Sequence, residues 1–400
     1  MKKIFAFAIA AVALAVGCQK NQIESPEVDP LDDGTPVEIK FNTNVASVVT
    51  KGLGSIEDLT AAKLFVYGVR RPAADAAFGE FEIENVTAKA DGTGLLTLGT
   101  ESEYYFYSGN RIAYDFYGYH VDNAVAEGTS PALNTDKKVL SVPVTIDGSQ
   151  DILLAKADPE YDMYTKDGEG KPTQTLVDNE VNDEKLVYTA YAARRKVHPT
   201  LHFTHALSRF KFALKTGAEN DGSIKLTELS LASQTTGTLV IASLDTATPE
   251  GLTASGDEGT LTLDSDTIGE EGYNLKANET EDNQETPEVN ESLQPLEGAI
   301  LTYPKDGAYE VTLKLTQKGI AEGSYRQTTL KVQPPVVDLE SQARAFEAGK
   351  SYLVTIVVYG LENIEIHATL EDWEEVVLDE IDPDEVEQDP DDDKIVTPEA

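Results

Sequence analysis

From Val37 onward apolar residues recur at every second position: Val37, Ile39 and Phe41, then Leu64, Val66 and Gly68, Phe81 and Ile83, Leu96 and Leu98, and Val142, Val144 and Ile146. A two-residue period puts alternate side chains on one face of a strand. Asp91-Gly92, Asp147-Gly148 and Asp167-Gly168 separate such runs and mark turns. The theme continues with Leu201, Phe203 and His205, with Phe210, Phe212 and Leu214, with Ile224 to Leu231, and with Leu239 and Ile241. Leu261 and Leu263, then Val311, Leu313 and Leu315, Leu330 and Val332, Leu353 to Val358, and Ile364 to Leu370 complete it. No long stretch has helical periodicity, and only Asp58 to Leu64 and Leu339 to Ala348 admit a short helix. Many short strands between turns predict an all-β fold of sandwich type.

A chain of 400 residues favours two domains. The boundary is placed near Pro199, where a basic, proline-containing segment ends, giving domains at 37–199 and 200–375. Asp158 to Lys185 and Ala277 to Asn290 are polar interruptions and are expected to be long surface loops.

The first residues follow another pattern. Lys2 and Lys3 precede an apolar run from Ile4 to Leu14, and Ala15-Val16-Gly17 leads to Cys18. The run is shorter than the roughly 20 residues that cross a bilayer core. Basic, apolar and small residues in that order read as a cleavable secretory signal over 1–17. Cys18 is the only cysteine in the chain, so it is the expected site of lipidation. Residues 18–36 are polar and proline-containing and form a flexible tether.

Charge narrows the partners. Asp and Glu number 71 against 32 Lys and Arg, a net charge of −39. The largest basic cluster is Arg194-Arg195-Lys196, too little for the basic stripe that phosphate backbones require, so a nucleic-acid partner is excluded. The segment Glu371 to Ala400 holds fifteen acidic residues, and residues 376–400 are expected to be an extended, self-repelling tail.

Candidate chemistry is sparse. His198, His202 and His205 are close in sequence, but on a strand His202 and His205 point to opposite faces. Asp389-Pro390-Asp391-Asp392-Asp393 lacks the glycine and ligand spacing of a calcium loop. Tyr104, Tyr105, Phe106, Tyr107, Tyr114, Phe116, Tyr117 and Tyr119 concentrate aromatic rings that could stack on a sugar or a partner, although strand alternation assigns about half to the core. No Gly-x-Ser-x-Gly, His-Glu-x-x-His or Walker-type run is present, so no catalytic residue, metal or cofactor is assigned and an enzyme is not expected.

Several segments taken together resemble the fimbrillin family, the lipid-anchored pilus subunits of Gram-negative anaerobes. They are the lipoprotein start, Val37-Glu38-Ile39-Lys40-Phe41, Tyr114 to Tyr119, Asp151 to Ala155, Leu201 to Phe212, and Phe346 to Tyr352 with Asp372-Trp373. The resemblance implies two tandem transthyretin-like β-sandwich domains, export to the outer membrane and cell surface through acylated Cys18, and cell adhesion as a fimbrial subunit. It implies that a processing protease removes the first strand, carrying Val37, Ile39 and Phe41, and that a strand of another pilus subunit fills the groove. Lys51 is the nearest basic residue after that strand, with Arg70 and Arg71 further on. Val376, Leu378 and Ile381 are the candidate donor segment, and their acidic surroundings favour a tip or accessory place over the stalk. The rival reading is a monomeric outer-membrane surface lipoprotein that keeps its first strand and binds glycans or host protein.

Overall fold

The alternating runs form strands where the period predicts them. The computed structural model describes residues 34–43, 59–73, 76–100, 104–166, 172–175, 186–217, 223–264, 268–269, 271–275, 293–318, 324–338, 343–361 and 364–371.

In chain order come β1 (Phe41–Thr43), β2 (Leu64–Arg70), β3 (Phe81–Ala90), β4 (Leu95–Leu98), β5 (Tyr114–His120), β6 (Ala132–Leu133), β7 (Val139–Thr145) and β8 (Leu153–Lys156). Helix α1 (Pro159–Asp162), the hairpin of β9 (Tyr164–Lys166) and β10 (Pro172–Thr175), and helix α2 (Ala190–Ala193) follow. Next are β11 (Thr200–Leu201), β12 (Thr204–His205), β13 (Ser208–Thr216), β14 (Ile224–Ser243) and β15 (Gly251–Thr262). Then come β16 (Tyr273–Asn274), β17 (Gln294–Pro295), β18 (Ile300–Thr302) and β19 (Tyr309–Gln317). The last are β20 (Arg326–Val332), β21 (Val336–Asp338), β22 (Ala343–Arg344), β23 (Ser351–Val358) and β24 (Ile364–Glu371).

Three sheets carry the fold among the described residues. The first has the order β11-β1-β4-β3-β2-β5-β8-β12 and is antiparallel except where β1 meets β11. The second runs β20-β19-β14-β7-β6, with β15 and β16 also paired to β14. The third runs β17-β13-β23-β24, and β18 joins β13. Strand β7, from the first half of the chain, pairs with β14 from the second, while β11 and β12, just after Pro199, close the two edges of the first sheet. The described residues from Pro36 on cluster as one compact unit with two cores.

Why two cores exist is read from β2 and β5. Leu64, Val66, Tyr114 and Phe116 face one core, with Phe41, Met163, Tyr188, Leu201 and Phe203. Tyr67, Val69, Tyr117 and Tyr119 face the other, with residues of the second and third sheets such as Phe210, Leu229, Leu239, Val311 and Tyr352. The first sheet is thus covered on both sides at its centre, and its middle strands bury both parities of the two-residue period. Gly118 sits where a Cβ would lie 2.7 Å from the Phe203 ring, so a side chain there would force the aromatic packing to shift, and at Gly68 a Cβ would lie a tight 3.0 Å from the Phe116 ring.

The expected helices are elsewhere. Leu59 to Ala62 forms a turn that leads into β2, and Ala343–Arg344 is a strand. The two helices lie instead at Pro159–Asp162 and Ala190–Ala193. Each is a single turn fixed by its cap: Asp158 accepts from the Glu160 amide at 2.9 Å with Pro159 at the first position, and Thr189 accepts from Ala192 at 3.1 Å. Asp158 to Lys185 is therefore more than a surface loop, since it supplies α1, the β9–β10 hairpin and the buried Met163.

Candidate functional site

The segment Val37 to Thr43 is a short piece of chain held by three separate stretches. The Ile39 amide donates to the Tyr105 carbonyl at 2.7 Å, and the Tyr107 amide to the Val37 carbonyl at 3.0 Å, around a bridge between Glu38 and Phe106. Further along, Phe41 pairs with Leu96 and Asn42 with Leu95, and Thr43 donates to Gly94 at 2.9 Å. On its other side Asn42 donates to Pro199 at 3.0 Å and pairs with Thr200, while the Thr43 hydroxyl donates to the Leu201 carbonyl at 2.9 Å.

Side chains fill the slot. Ile39 and Phe41 are buried, Val37 half-buried, and Phe41 meets Phe116 edge-on at 5.0 Å between centroids. The strand itself is short, because the segment changes partner from Phe106 at Glu38 to Leu96 at Phe41. Its fit is imperfect: the buried Asn42 side-chain oxygen has no hydrogen-bond partner among the described residues. An unmet buried acceptor costs about 1–3 kcal/mol.

The other sequence-derived positions are dispersed. Cys18, Lys51 and the segment Val376, Leu378 and Ile381 lie outside the described residues, as does Trp373. Arg70 ends β2, pairs across the ladder with Tyr114 and makes an ion pair with Glu82 at 2.5 Å. Arg71 follows, its amide bonded to Ala113 at 2.8 Å and its guanidinium to Asp115 at 2.7 Å. The peptide between them is thus tied into regular structure, whereas a protease takes its substrate as an extended, unpaired chain.

The three histidines do not converge. His205 binds buried Asp151 at 2.9 Å, the His202 ring stands edge-on to Tyr161 at 4.3 Å, and His198 is buried. Of the aromatic concentration, Tyr107, Tyr114, Phe116, Tyr117 and Tyr119 are buried, while Tyr104 and Phe106 are exposed. Phe106 lies opposite Glu38 beside the first strand.

A fimbrillin-like family model matches residues 54–373, four-fifths of the chain. The chain belongs to the fimbrillin-like family. No curated protein matches the sequence. Among solved structures, this fimbrillin-like protein is similar to a candidate cell adhesion protein from Bacteroides uniformis, at 15% identity over 86% of this chain and 99% of that one, with a TM-score of 0.44. It is also similar to a fimbrial protein from Bacteroides vulgatus, at 11% identity over 85% and 100% of the two chains, with a TM-score of 0.44. A third is the fimbrial anchor protein Mfa2 from Porphyromonas gingivalis, at 11% identity over 86% and 100%, with a TM-score of 0.33. Membership of the fimbrillin-like family makes the protein a structural component of cell-surface fimbriae rather than an enzyme.

Two buried polar groupings of the fimbrillin-like fold escaped sequence reasoning. In one, Asp162 accepts hydrogen bonds from the Tyr188 hydroxyl and, at 2.8 Å, from the Thr200 amide. Burial, then the charge of Asp162, pushes the Tyr188 phenol well above its ordinary value, so it stays a donor. In the other, buried His120 faces the Lys63 carbonyl at 2.9 Å and the Asp122 carboxylate at 2.7 Å, and Asp122 accepts from the Asp151 amide at 2.8 Å.

The second grouping makes stability depend on pH. Burial opposes charging of His120, but its bonds to Asp122 and Lys63, with the charges of Asp122 and Asp151, outweigh that and raise its pKa above 6.5. Burial likewise works against the Asp122 carboxylate, and the bonds from His120 and Asp151 outweigh it and hold its pKa below 3.8. A raised histidine stabilises fully below its unfolded pKa and loses that contribution as pH rises through the folded one. A depressed carboxylate stabilises above its unfolded pKa and loses it as pH falls through the folded one. Both contributions are complete between about pH 4 and 6.5. From pH 6 to 9 the wild type is expected to lose stability relative to His120→Gln, with a limiting slope of about 1.4 kcal/mol per pH unit for one proton. Urea midpoints of both proteins at each pH check this, and parallel curves would assign the slope to other groups.

Proposed function

We propose that the protein is a fimbrial subunit exported as a lipoprotein through Cys18, whose first strand is cut away on assembly and replaced by a strand of a neighbouring subunit. The observation that carries this reading is the seating of residues 37–43, with Phe41 to Thr43 between Gly94–Leu96 and Pro199–Leu201 and Ile39 buried beside Tyr105. Removing that segment frees backbone groups along both walls and empties two apolar sockets, each worth about 1.5–3 kcal/mol when filled. An incoming strand of alternating pattern satisfies both needs. In this reading residues 37–199 and 200–375 are tandem sandwich domains, and the cut follows Lys51, since Arg70 is tied into β2 and the Arg71 amide is bonded to Ala113. The acidic setting of Val376, Leu378 and Ile381 supports a tip or accessory place, where the subunit accepts a strand without donating one.

The test is to treat the mature protein with a lysine-specific endoprotease, confirm by mass spectrometry a new N-terminus at Gly52, and add a fluorescent peptide of residues 36–46. Cut protein should take up the peptide and release its native segment, and uncut protein should not. Failure of the cut protein to exchange overturns the reading and leaves a stand-alone surface lipoprotein. Light scattering on the exchanging sample separates a stalk subunit, which forms higher-order species, from a tip subunit, which stays monomeric.

A further inference from the structure

Away from the first strand, an open cleft of about 730 Å³ lies between the start of β2, the bulged middle of β3, the end of β5 and the loop 121–131. That volume is within the range of small-molecule sites, about 300–1,000 Å³. On one side is an aromatic pair, half-buried Phe65 stacked on Tyr119 at 5.0 Å and 18°. With one face of Phe65 covered by Tyr119, the group near the ring is the ammonium of Lys63, an exposed residue, 5.1 Å from the centroid.

Polar groups line the same cleft as this ring. Asn85 and Asp122 both line the cleft and both have left-handed backbone, at φ 51° and 41°. Asn and Asp enter that region more readily than other non-glycine residues. Asn85 accepts from the Tyr119 hydroxyl at 2.7 Å through its oxygen, which leaves the amide nitrogen as a donor. Asp122 is anchored by His120 and the Asp151 amide, so its position at the rim is fixed. Exposed Asn123 and Glu127 complete the rim.

Donors and acceptors therefore line the same cleft as an aromatic ring. A sugar ring asks for that combination, because each hydroxyl both donates and accepts while the C–H face of the ring packs on an aromatic ring. Asp122 and Glu127 repel an anion, and Lys63 repels a cation. We propose that this cleft binds a neutral oligosaccharide, one sugar ring packed on Phe65 in place of the Lys63 ammonium and its hydroxyls bonded by Asn85, Asp122, Asn123 and Glu127.

The experiment is saturation-transfer NMR and calorimetry on the intact mature protein with four neutral probes: maltotriose, cellotriose, mannotriose and triacetylchitotriose. Trigalacturonate serves as the anionic control. At least one neutral probe should bind, and Phe65→Ala and Glu127→Gln should each weaken it about tenfold, a loss of about 1.4 kcal/mol. Tyr325→Ala, remote from the cleft lining, should leave binding unchanged. Glu127 is exposed, so its substitution reads the site even where Phe65→Ala perturbs folding. Absence of binding by every neutral probe, binding unaffected by Glu127→Gln, or tighter binding of trigalacturonate than of all four overturns the proposal.

Discussion

Phe41→Ala is expected to lower the free energy of unfolding of the uncut protein by about 3–5 kcal/mol, the usual cost of emptying a buried aromatic site. The ring is fully buried and stands edge-on to Phe116 at 5.0 Å, a contact worth about 0.5–1.5 kcal/mol beyond its area. Its neighbours cannot close the gap. Phe116 is held against Gly68 on one side and tilted on Tyr188 at 5.7 Å on another, so the cavity persists. Urea denaturation at constant m-value measures the loss, and Phe41→Leu should cost markedly less.

The same substitution also reads function. If, as proposed, the first strand leaves and another fills the groove, residue 41 no longer contributes, and peptide-filled protein prepared from wild type and from Phe41→Ala should melt alike. A filled Phe41→Ala protein as weak as its uncut form would mean that the strand had stayed.

How far the fold was legible follows from where alternation survives. Strands β4, β7 and β19 bury one parity and expose or half-expose the other, and their apolar positions named them directly. In β5 the run Tyr114 to His120 is buried at nearly every position, because one core lies on each side, and alternation alone cannot separate rings of the two cores. That is why more of the aromatic concentration is core than the two-residue period assigns. Helices α1 and α2 are too short for any period to register, although Asp158-Pro159 and Thr189 carry the capping signals that could have placed them. The alternation of Val37, Ile39 and Phe41 marked the first segment as a strand, whereas nothing local marked the stretch it packs beside. Thr200 joins β1 by a parallel pairing 158 residues away in sequence, and no local pattern announces such a contact. The cleft is hidden for the same reason, since Phe65, Asn85 and Asp122 meet only through the sheet order.

The stretch beside the first strand rests on one carboxylate. Asp162→Ala removes the acceptor of both the Tyr188 hydroxyl and the Thr200 amide, each of which then lies buried at a cost of about 1–3 kcal/mol. A total loss of about 2–6 kcal/mol is expected, with a smaller loss for Asp162→Asn, which keeps an acceptor oxygen. Tyr188→Phe should lose less on the Asp162→Ala background than on the wild type, with a coupling of about 0.5–3 kcal/mol in the double-mutant cycle, because the two share one interaction. Additive losses would show that each side chain acts through packing alone. The local consequence separates wall from floor. Thr200 belongs to β11, the strand that receives the Asn42 amide through Pro199, whereas the Thr43 amide is bound on the opposite side by Gly94. In native-state hydrogen exchange, Asp162→Ala should therefore speed exchange of Asn42 more than that of Thr43. Equal acceleration of the two would mean that the segment opens as a unit and that Asp162 has no selective hold on the β11 side of the groove.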